Sequence, residues 1–365
     1  MIRFEKREST PASLKIIIPI VSVAIGILIG AIAIMFKGIN PLRVYNALIM
    51  GAFSSRYTFS ETLVAATPLI LISAGLIVVF KMNFWNIGAY GQYIMGAIFS
   101  SYFAIFWSPN IPKPIMLTVM VIAGMIGGAL WALIPAFFKA FWEVNEVIST
   151  LLMNYIALFI LKYFMYGTWR DPLSHGFPLS KPFPDNAQLP RIMYHTRVNL
   201  GLVFGIIAVI IVWFILKKTK FGYEITVIGE NPRAARYAGM NVTKNILIAM
   251  AISGALAGLA GMVQVSGIIH LLQIKINPDY GYTAIIVAWL AYLDPIVAVF
   301  VSLFLGGLAS GAYQIQITMQ VPFGIVNVIE SAILFALIGS EIFMKYKVKF
   351  EFGKRKEINK QEETL

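Results

Sequence analysis

A chain of 365 residues would ordinarily suggest about two or three soluble domains, yet 59% of its residues are hydrophobic, 13% are charged, and its mean hydropathy is +0.78. A soluble protein carries about 25% charge, so this composition excludes an ordinary soluble enzyme, a disordered chain and a coiled coil. Zero cysteines exclude a disulfide framework, a thiolate metal site and cysteine nucleophile chemistry.

Met1 to Lys15 resembles the charged start of a secretory signal, but the apolar run over 16–36 is too long and lacks a clean small-x-small cleavage site. It reads as a retained first span. A helix needs about 20 residues to cross the hydrocarbon. Runs of that kind fall at 14–36, 61–80, 87–107, 115–138, 147–167, 198–216, 245–263, 280–293, 296–311 and 325–344. The eighth is short and reads as tilted or broken. The fold class is therefore an all-α polytopic membrane protein of about ten transmembrane helices, with both termini on one side. It divides into an N-terminus at 1–13, a single transmembrane domain at 14–344 and a charged tail at 345–365.

Basic residues orient the chain. Nineteen lie on the side of the termini, nine lie opposite, and Lys162 sits inside a span. By the positive-inside rule both termini are cytoplasmic. The net charge of +12 is thus a topology signal rather than a nucleic-acid footprint.

Three segments interrupt the apolar pattern. Residues 37–60 read as an outside loop containing Asn40-Pro41. Residues 168–197 form a second outside loop with five prolines and the aromatics Trp169, Phe177, Phe183 and Tyr194. Proline fixes φ and lowers the entropy lost on ordering, so this loop is either a docking surface or a plain connector. The third, 217–244, is cytoplasmic and too long for a simple turn. After the basic stop Lys217-Lys218-Thr219-Lys220 it offers Asn231 as an N-cap, Pro232 at N1, arginines 233 and 236, and Gly239 at C′. That pattern predicts one surface helix of about two turns, functional or simply laid on the lipid headgroups. Within the spans, Gly26/Gly30, Gly124/Gly128, Gly201/Gly205, Gly254/Gly258 and Gly307/Gly311 repeat at four-residue spacing, which predicts close helix packing.

Enzyme signatures are missing: there is no G-x-S-x-G elbow, no H-E-x-x-H and no G-x-x-x-x-G-K-[ST] phosphate loop. His175, His195 and His270 fall in outside loops. Glu330 is the only deep carboxylate and Lys162 the only deep base, each a proton-relay candidate or a packing or snorkelling residue. The spans instead carry neutral polar groups: Asn83, Asn86 and Gln92 around the third, and Asn145, Ser149, Thr150 and Asn154 along the fifth. Such groups either hydrogen-bond a passing polar solute or glue helices together.

Several strings are familiar. Asn86-Ile87-Gly88-Ala89-Tyr90-Gly91-Gln92 is similar to the "NIGAEGQ" signature of ABC importer permeases of the ribose, branched-chain amino acid and nucleoside group. The stretch Asn145 to Ala157 resembles the nucleoside subgroup's "NEVISTxMLNYIA". The run Gly229-Glu230-Asn231-Pro232-Arg233-Ala234-Ala235-Arg236-Tyr237-Ala238-Gly239 resembles a cytoplasmic "GxNPxAARYAG", and Tyr280 to Ala288 a late "GYGFTAIAVA". The resemblance runs from about residue 60 to 340, and four strings in order make it specific.

The resemblance implies two inverted halves in a permease that pairs with an equal or sister permease. Cytoplasmic ATPases, which hold the ATP and Mg that this chain does not bind, would drive it, and an extracytoplasmic solute-binding protein would feed it. Residues Gly229 to Tyr237 and Gly239 would form the coupling helix in the ATPase groove. Asn83, Asn86, Tyr90, Gln92, Asn145, Ser149 and Asn154 are the candidate lining of the path. Two departures stand out: Tyr90 replaces the usual glutamate, and Trp289 and Ala291 replace leucine and glycine. Tyr90 near Trp85 is thereby a candidate for stacking on a nucleobase. The expected function is transport of a small polar solute, nucleosides first and sugars such as ribose or galactose second, in the inner membrane of a prokaryote. An ATP-independent channel or carrier, and a scaffold or receptor without flux, are the competing classes.

Overall fold

The computed structural model describes residues 2–6, 12–107, 110–276 and 279–350. Among these, thirteen α-helices succeed one another: α1 (Ala12–Met35), α2 (Pro41–Phe53), α3 (Arg56–Phe80), α4 (Ala89–Phe106), α5 (Lys113–Trp142), α6 (Glu146–Tyr166), α7 (Gly201–Lys218), α8 (Lys220–Glu230), α9 (Pro232–Tyr237), α10 (Val242–Gln264), α11 (Asp279–Leu290), α12 (Pro295–Met319) and α13 (Gly324–Lys345). Each of the ten apolar runs read from the sequence holds a helix, and six helices are long and apolar enough to cross a membrane. Two short strands, β1 (Ile2–Lys6) and β2 (Tyr346–Phe350), pair antiparallel and so bring the two ends of the described chain together.

Helix α3 is the hub. It is apolar all round, and a helix without a polar face belongs inside; every residue from Ala65 to Phe80 is buried. Helices α10, α12, α7, α11 and α2 pack around it. A second nucleus forms where α4, α5 and α10 cross. A Cβ on Gly128 would lie 2.1 Å from the Gly254 carbonyl oxygen, one on Gly258 2.2 Å from that of Gly124, and one on Gly96 2.2 Å from the Gly258 backbone. The glycine spacing therefore becomes backbone-to-backbone contact, as helix pairing in lipid requires. The pairs Gly26/Gly30 and Gly307/Gly311 also sit at close contacts, the first against the side chains of Ile329 and Ile333 of α13, the second against the Phe53 ring and the Leu48 backbone of α2.

Two elements differ from the sequence reading, and a third takes the short form that it expected. Residues 37–60 are not simply a loop, for Asn40 caps α2 by accepting from Leu42 N–H at 2.9 Å. Leu48 and Gly51 lie on Gly311 and Phe53 on Gly307, so α2 packs closely across α12 within the bundle. The segment 217–244 holds two helices rather than one, because Thr219 caps α8 ahead of α9. The eighth span is short: the described α11 has 12 residues, about 18 Å at the usual rise, less than a hydrocarbon core of about 30 Å.

The loops sort into two ends. At one end the close of α3, the α5–α6 turn and the α8–α9 elbow share a cleft. At the other, Arg197 pairs with Glu61, and Asn186 donates to the Ile111 carbonyl. There the 168–197 loop is stitched to the residues after α10: Ser180 N–H donates to Leu272, Phe183 N–H to His270 and Leu189 N–H to Ser266, each at 2.8–3.1 Å.

The glycine crossing makes a stability prediction. Gly258→Ala forces α5 and α10 apart and should destabilise the purified protein by about 2 kcal/mol or more. Gly324→Ala, where an added Cβ meets nothing, should stay within about 0.5 kcal/mol. Thermal unfolding in detergent checks both.

Candidate functional site

Helix α3 closes with Asn83 in the left-handed region, at φ 54. Phe84 N–H reaches back to the Val79 carbonyl at 3.2 Å and Asn83 N–H to that of Phe80 at 2.9 Å, a Schellman closure with asparagine at the αL position. The chain then re-enters the bundle without helical structure until α4 begins at Ala89. Backbone polar groups buried away from water must be paired, and non-helical backbone at membrane depth is tolerated only where protein supplies the partners.

Helix α6 supplies them. Thr150 Oγ1 accepts from Ile87 N–H at 3.2 Å, while Asn154 Nδ2 donates to the Ile87 carbonyl at 2.9 Å. Asn154 Oδ1 accepts from Gly91 N–H at 2.7 Å, capping α4 from a neighbouring helix because Gly88 has no side chain to do so. Glycine is needed here: a Cβ on Gly88 would lie 2.9 Å from the Thr150 carbonyl oxygen, and one on Gly91 3.0 Å from Asn154 Oδ1. Asn86 completes the set. Its Oδ1 accepts from Gly88 N–H and Gln92 Nε2, both at 3.0 Å, and its Nδ2 donates to Ser253 Oγ of α10 at 3.1 Å.

Helix α11 meets this break head-on. A Cβ on Gly281 would lie 2.7 Å from the Tyr90 backbone, so the first turns of α4 and α11 touch. Farther along α11, Trp289 stacks on Trp85 at 5.1 Å and 22°, with Phe80 at 5.9 Å from both rings. Helix α11 therefore runs antiparallel to residues 85–90. Tyr90 is 7% exposed, and Tyr282, with its ring 6.0 Å away, is 38% exposed. Tyr282 Oη also accepts from Asn154 Nδ2 at 3.4 Å.

Of the seven residues singled out for the path, Asn86, Tyr90, Gln92 and Asn154 come together at this break. The other three lie toward the cleft end. Asn145 caps α6 by accepting from Val147 N–H at 2.9 Å, Ser149 donates to the Glu146 carbonyl, and Asn83 donates to the Gly229 carbonyl. Sequence reasoning missed Ser253 and Tyr282, which are unremarkable in composition and distant along the chain.

The α8–α9 elbow is anchored twice. Asn245 of α10 donates to Glu224 at 2.8 Å, and Lys220 lies 3.5 Å from the same carboxylate. The Asn245 hydrogen bond, followed by Lys220, holds the Glu224 carboxyl below its ordinary value. Gly229 forms the second anchor, so close to α3 that a Cβ would lie 2.1 Å from the Lys81 carbonyl oxygen. Between Glu230 and Tyr237 every signal in the sequence is used. Asn231 Oδ1 accepts from Arg233 and Ala234 N–H at 3.1 Å, and Pro232 occupies the first turn. Met240 N–H returns to the Ala235 carbonyl, Gly239 N–H to that of Arg236, and Gly239 sits at φ 78. Ala235 faces inward, while Arg233, Arg236 and Tyr237, the last 95% exposed, face out. Arg236 borders the cleft it shares with Asn83, Lys139, Glu143 and Glu146; Lys139 and Glu146 are paired at 2.8 Å.

Residues 58–338 match the family described as the permease component of branched-chain amino acid transport systems. The chain is similar to the nucleoside ABC transporter permease NupB of Lactococcus lactis, 32% identical with 96% of each chain covered. It is 32% identical to the guanosine ABC transporter permease NupP of Bacillus subtilis, covering 93% of this chain and 97% of the relative. It is 30% identical to the glucose ABC transporter permease TsgB13 of Haloferax volcanii, covering 97% and 95%.

The break can be tested through Asn154. Asn154→Leu leaves Gly91 N–H and the Ile87 carbonyl unpaired, which should cost about 2–4 kcal/mol. Asn154→Asp retains the acceptor and should cost less. Unfolding midpoints check the order, and hydrogen exchange at Gly91 should rise in the leucine variant alone.

Proposed function

Since the chain belongs to the family of permease components of branched-chain amino acid transport systems, we propose that it forms one half of the path of an ATP-driven importer and that its cargo is a nucleoside. The observation that carries the importer reading is α9: a capped, outward-facing basic helix on a permease whose sequence has no phosphate loop of its own. Energy therefore enters through a separate subunit, and Arg233, Arg236 and Tyr237 form its docking surface. Arginine suits carboxylates or helix C-termini on such a partner.

Nucleoside cargo is supported by two relatives named for nucleoside and guanosine transport, each aligned over more than nine-tenths of both chains. A sugar is the second reading, favoured by the glucose permease relative. The cleft end holds Lys81, Lys139 and the basic segment 217–244, which supports placing that end and both termini in the cytoplasm. The antiparallel run of the short α11 along the non-helical residues before α4 supports two inverted halves, with alternating access about a site near the midplane. In this reading a second permease completes the path in the plasma membrane of a prokaryote. The chain divides at 1–13, 14–344 and 345–365, ATP and Mg reside on the ATPase, and a binding protein docks on the stitched 168–197 loop.

Reconstitution with its ATPase and binding protein tests the proposal: ATP-linked uptake of labelled nucleoside should exceed that of glucose. Equal or preferential glucose uptake would replace the cargo, and flux surviving without ATP would overturn the importer. Arg233→Glu with Arg236→Glu should lower uptake at least tenfold while leaving the unfolding midpoint unchanged, since both side chains face solvent. Undiminished uptake in that double variant would remove α9 from the coupling role.

A further inference from the structure

Two anchors hold the α8–α9 elbow to the rest of the protein, and they lead to different places. Glu224 ties α8 to the beginning of α10. Asn83 Nδ2 donates to the Gly229 carbonyl at 2.5 Å, a contact between residues 146 apart in sequence that reaches the segment leading into the break. Three features make this second contact stiff. Gly229 has no room for a Cβ against Lys81. Asn83 is fixed at φ 54 by the closure of α3, a conformation that asparagine tolerates better than most residues. The bond sits in the last turn of α8, two residues from the Asn231 cap that starts α9.

The residues after Asn83 are equally constrained. Trp85 stacks on Trp289, Asn86 is bound to Gln92 and Ser253, and both backbone groups of Ile87 are held by α6. The residues 83–88 thus form a short non-helical strap between α9 and the meeting point of α4 with α11. The half of α3 next to the elbow is buried on every side from Ala65 to Phe80, so a displacement of the elbow passes into the strap.

We propose that Asn83 is a positioning residue whose hydrogen bond to Gly229 transmits movement of the α8–α9 elbow into residues 83–88, and through the Trp85–Trp289 stack onto α11. This rests on the importer reading for its biological meaning but not for its geometry. Asn83 thereby acts in coupling rather than in contact with solute. The amide and the turn are separable roles: glycine also accepts positive φ and has nothing to donate.

The test uses the full chain with its ATPase and binding protein in liposomes, comparing wild type, Asn83→Gly and Asn83→Asp. Aspartate tolerates the same backbone but presents no donor at neutral pH. Both variants should lower solute taken up per ATP hydrolysed at least tenfold, while hydrolysis continues. Hydrogen exchange on the same chain in nanodiscs supplies the second measurement. In Asn83→Gly, protection of 83–88 and of 225–235 should fall together. A wild-type uptake-to-hydrolysis ratio in the glycine variant would overturn the proposal, as would loss of protection confined to one of the two segments. If the wild type shows no ATP-linked uptake, the importer reading fails, and the exchange comparison still decides whether the elbow and the strap move as one.

Discussion

Inside a bilayer no water waits to satisfy a stray N–H or carbonyl, and this chain stays non-helical from the end of α3 until Ala89 as it re-enters the bundle from the cleft end. The rest of the architecture is arranged around satisfying those groups. Asn154 and Thr150 must face the break, which fixes the rotation of α6. Glycines at 88 and 91 let α6 approach closely enough for those side chains to reach. The side chain of Asn86 stands in for a missing helical partner at Gly88 and binds α10 through Ser253. A break of this kind is stable only as a network, since removing one amide strands more than one backbone group.

The same solvent explains the packing around it. Lipid offers no hydrophobic drive for helix association, so contact area must come from close approach. The crossing of α4, α5 and α10 is built on Gly96, Gly124, Gly128, Gly254 and Gly258, whose carbonyls and α-carbons touch across helices. Helix α3 takes the opposite route and buries bulky Leu, Ile and Val side chains on all sides. The outer helices show which faces remain for lipid or a partner: Leu152, Ile156 and Phe159 of α6, and Ile206, Ile210 and Phe214 of α7, are exposed.

Much of this was legible in the sequence, and the failures have physical causes. Each long apolar run marked a helix, because a helix crossing the hydrocarbon must be apolar over its length. Helix α2 escaped because its 13 residues include Arg43 and Asn46, although Asn40-Pro41 was a start signal in plain view. Helix α8 escaped because Lys217 and Lys218 read as a stop, when Thr219 behind them is a cap. At the break the sequence pointed to Asn86, Gln92 and Asn154 as polar groups in apolar surroundings. It could not pair them, since their partners are up to 167 residues away. Tyr90 drew attention as a departure from a familiar string; it is buried, and the neighbouring Tyr282 ring is the more exposed of the two.

The titratable groups of the spans have structural partners. Glu330 is buried and accepts from Thr283 Oγ1 at 2.9 Å, holding α13 to α11. Lys162 lies over the Phe159 ring at 5.4 Å near the end of α6, where a long side chain reaches the interface. The polar groups that fill the break are amides and hydroxyls, which hold shape at any physiological pH and store no proton. On the importer reading proposed above, work arrives from outside the bilayer, and the α8–α9 elbow, wedged against the end of α3 through Gly229, is the element proposed to receive it.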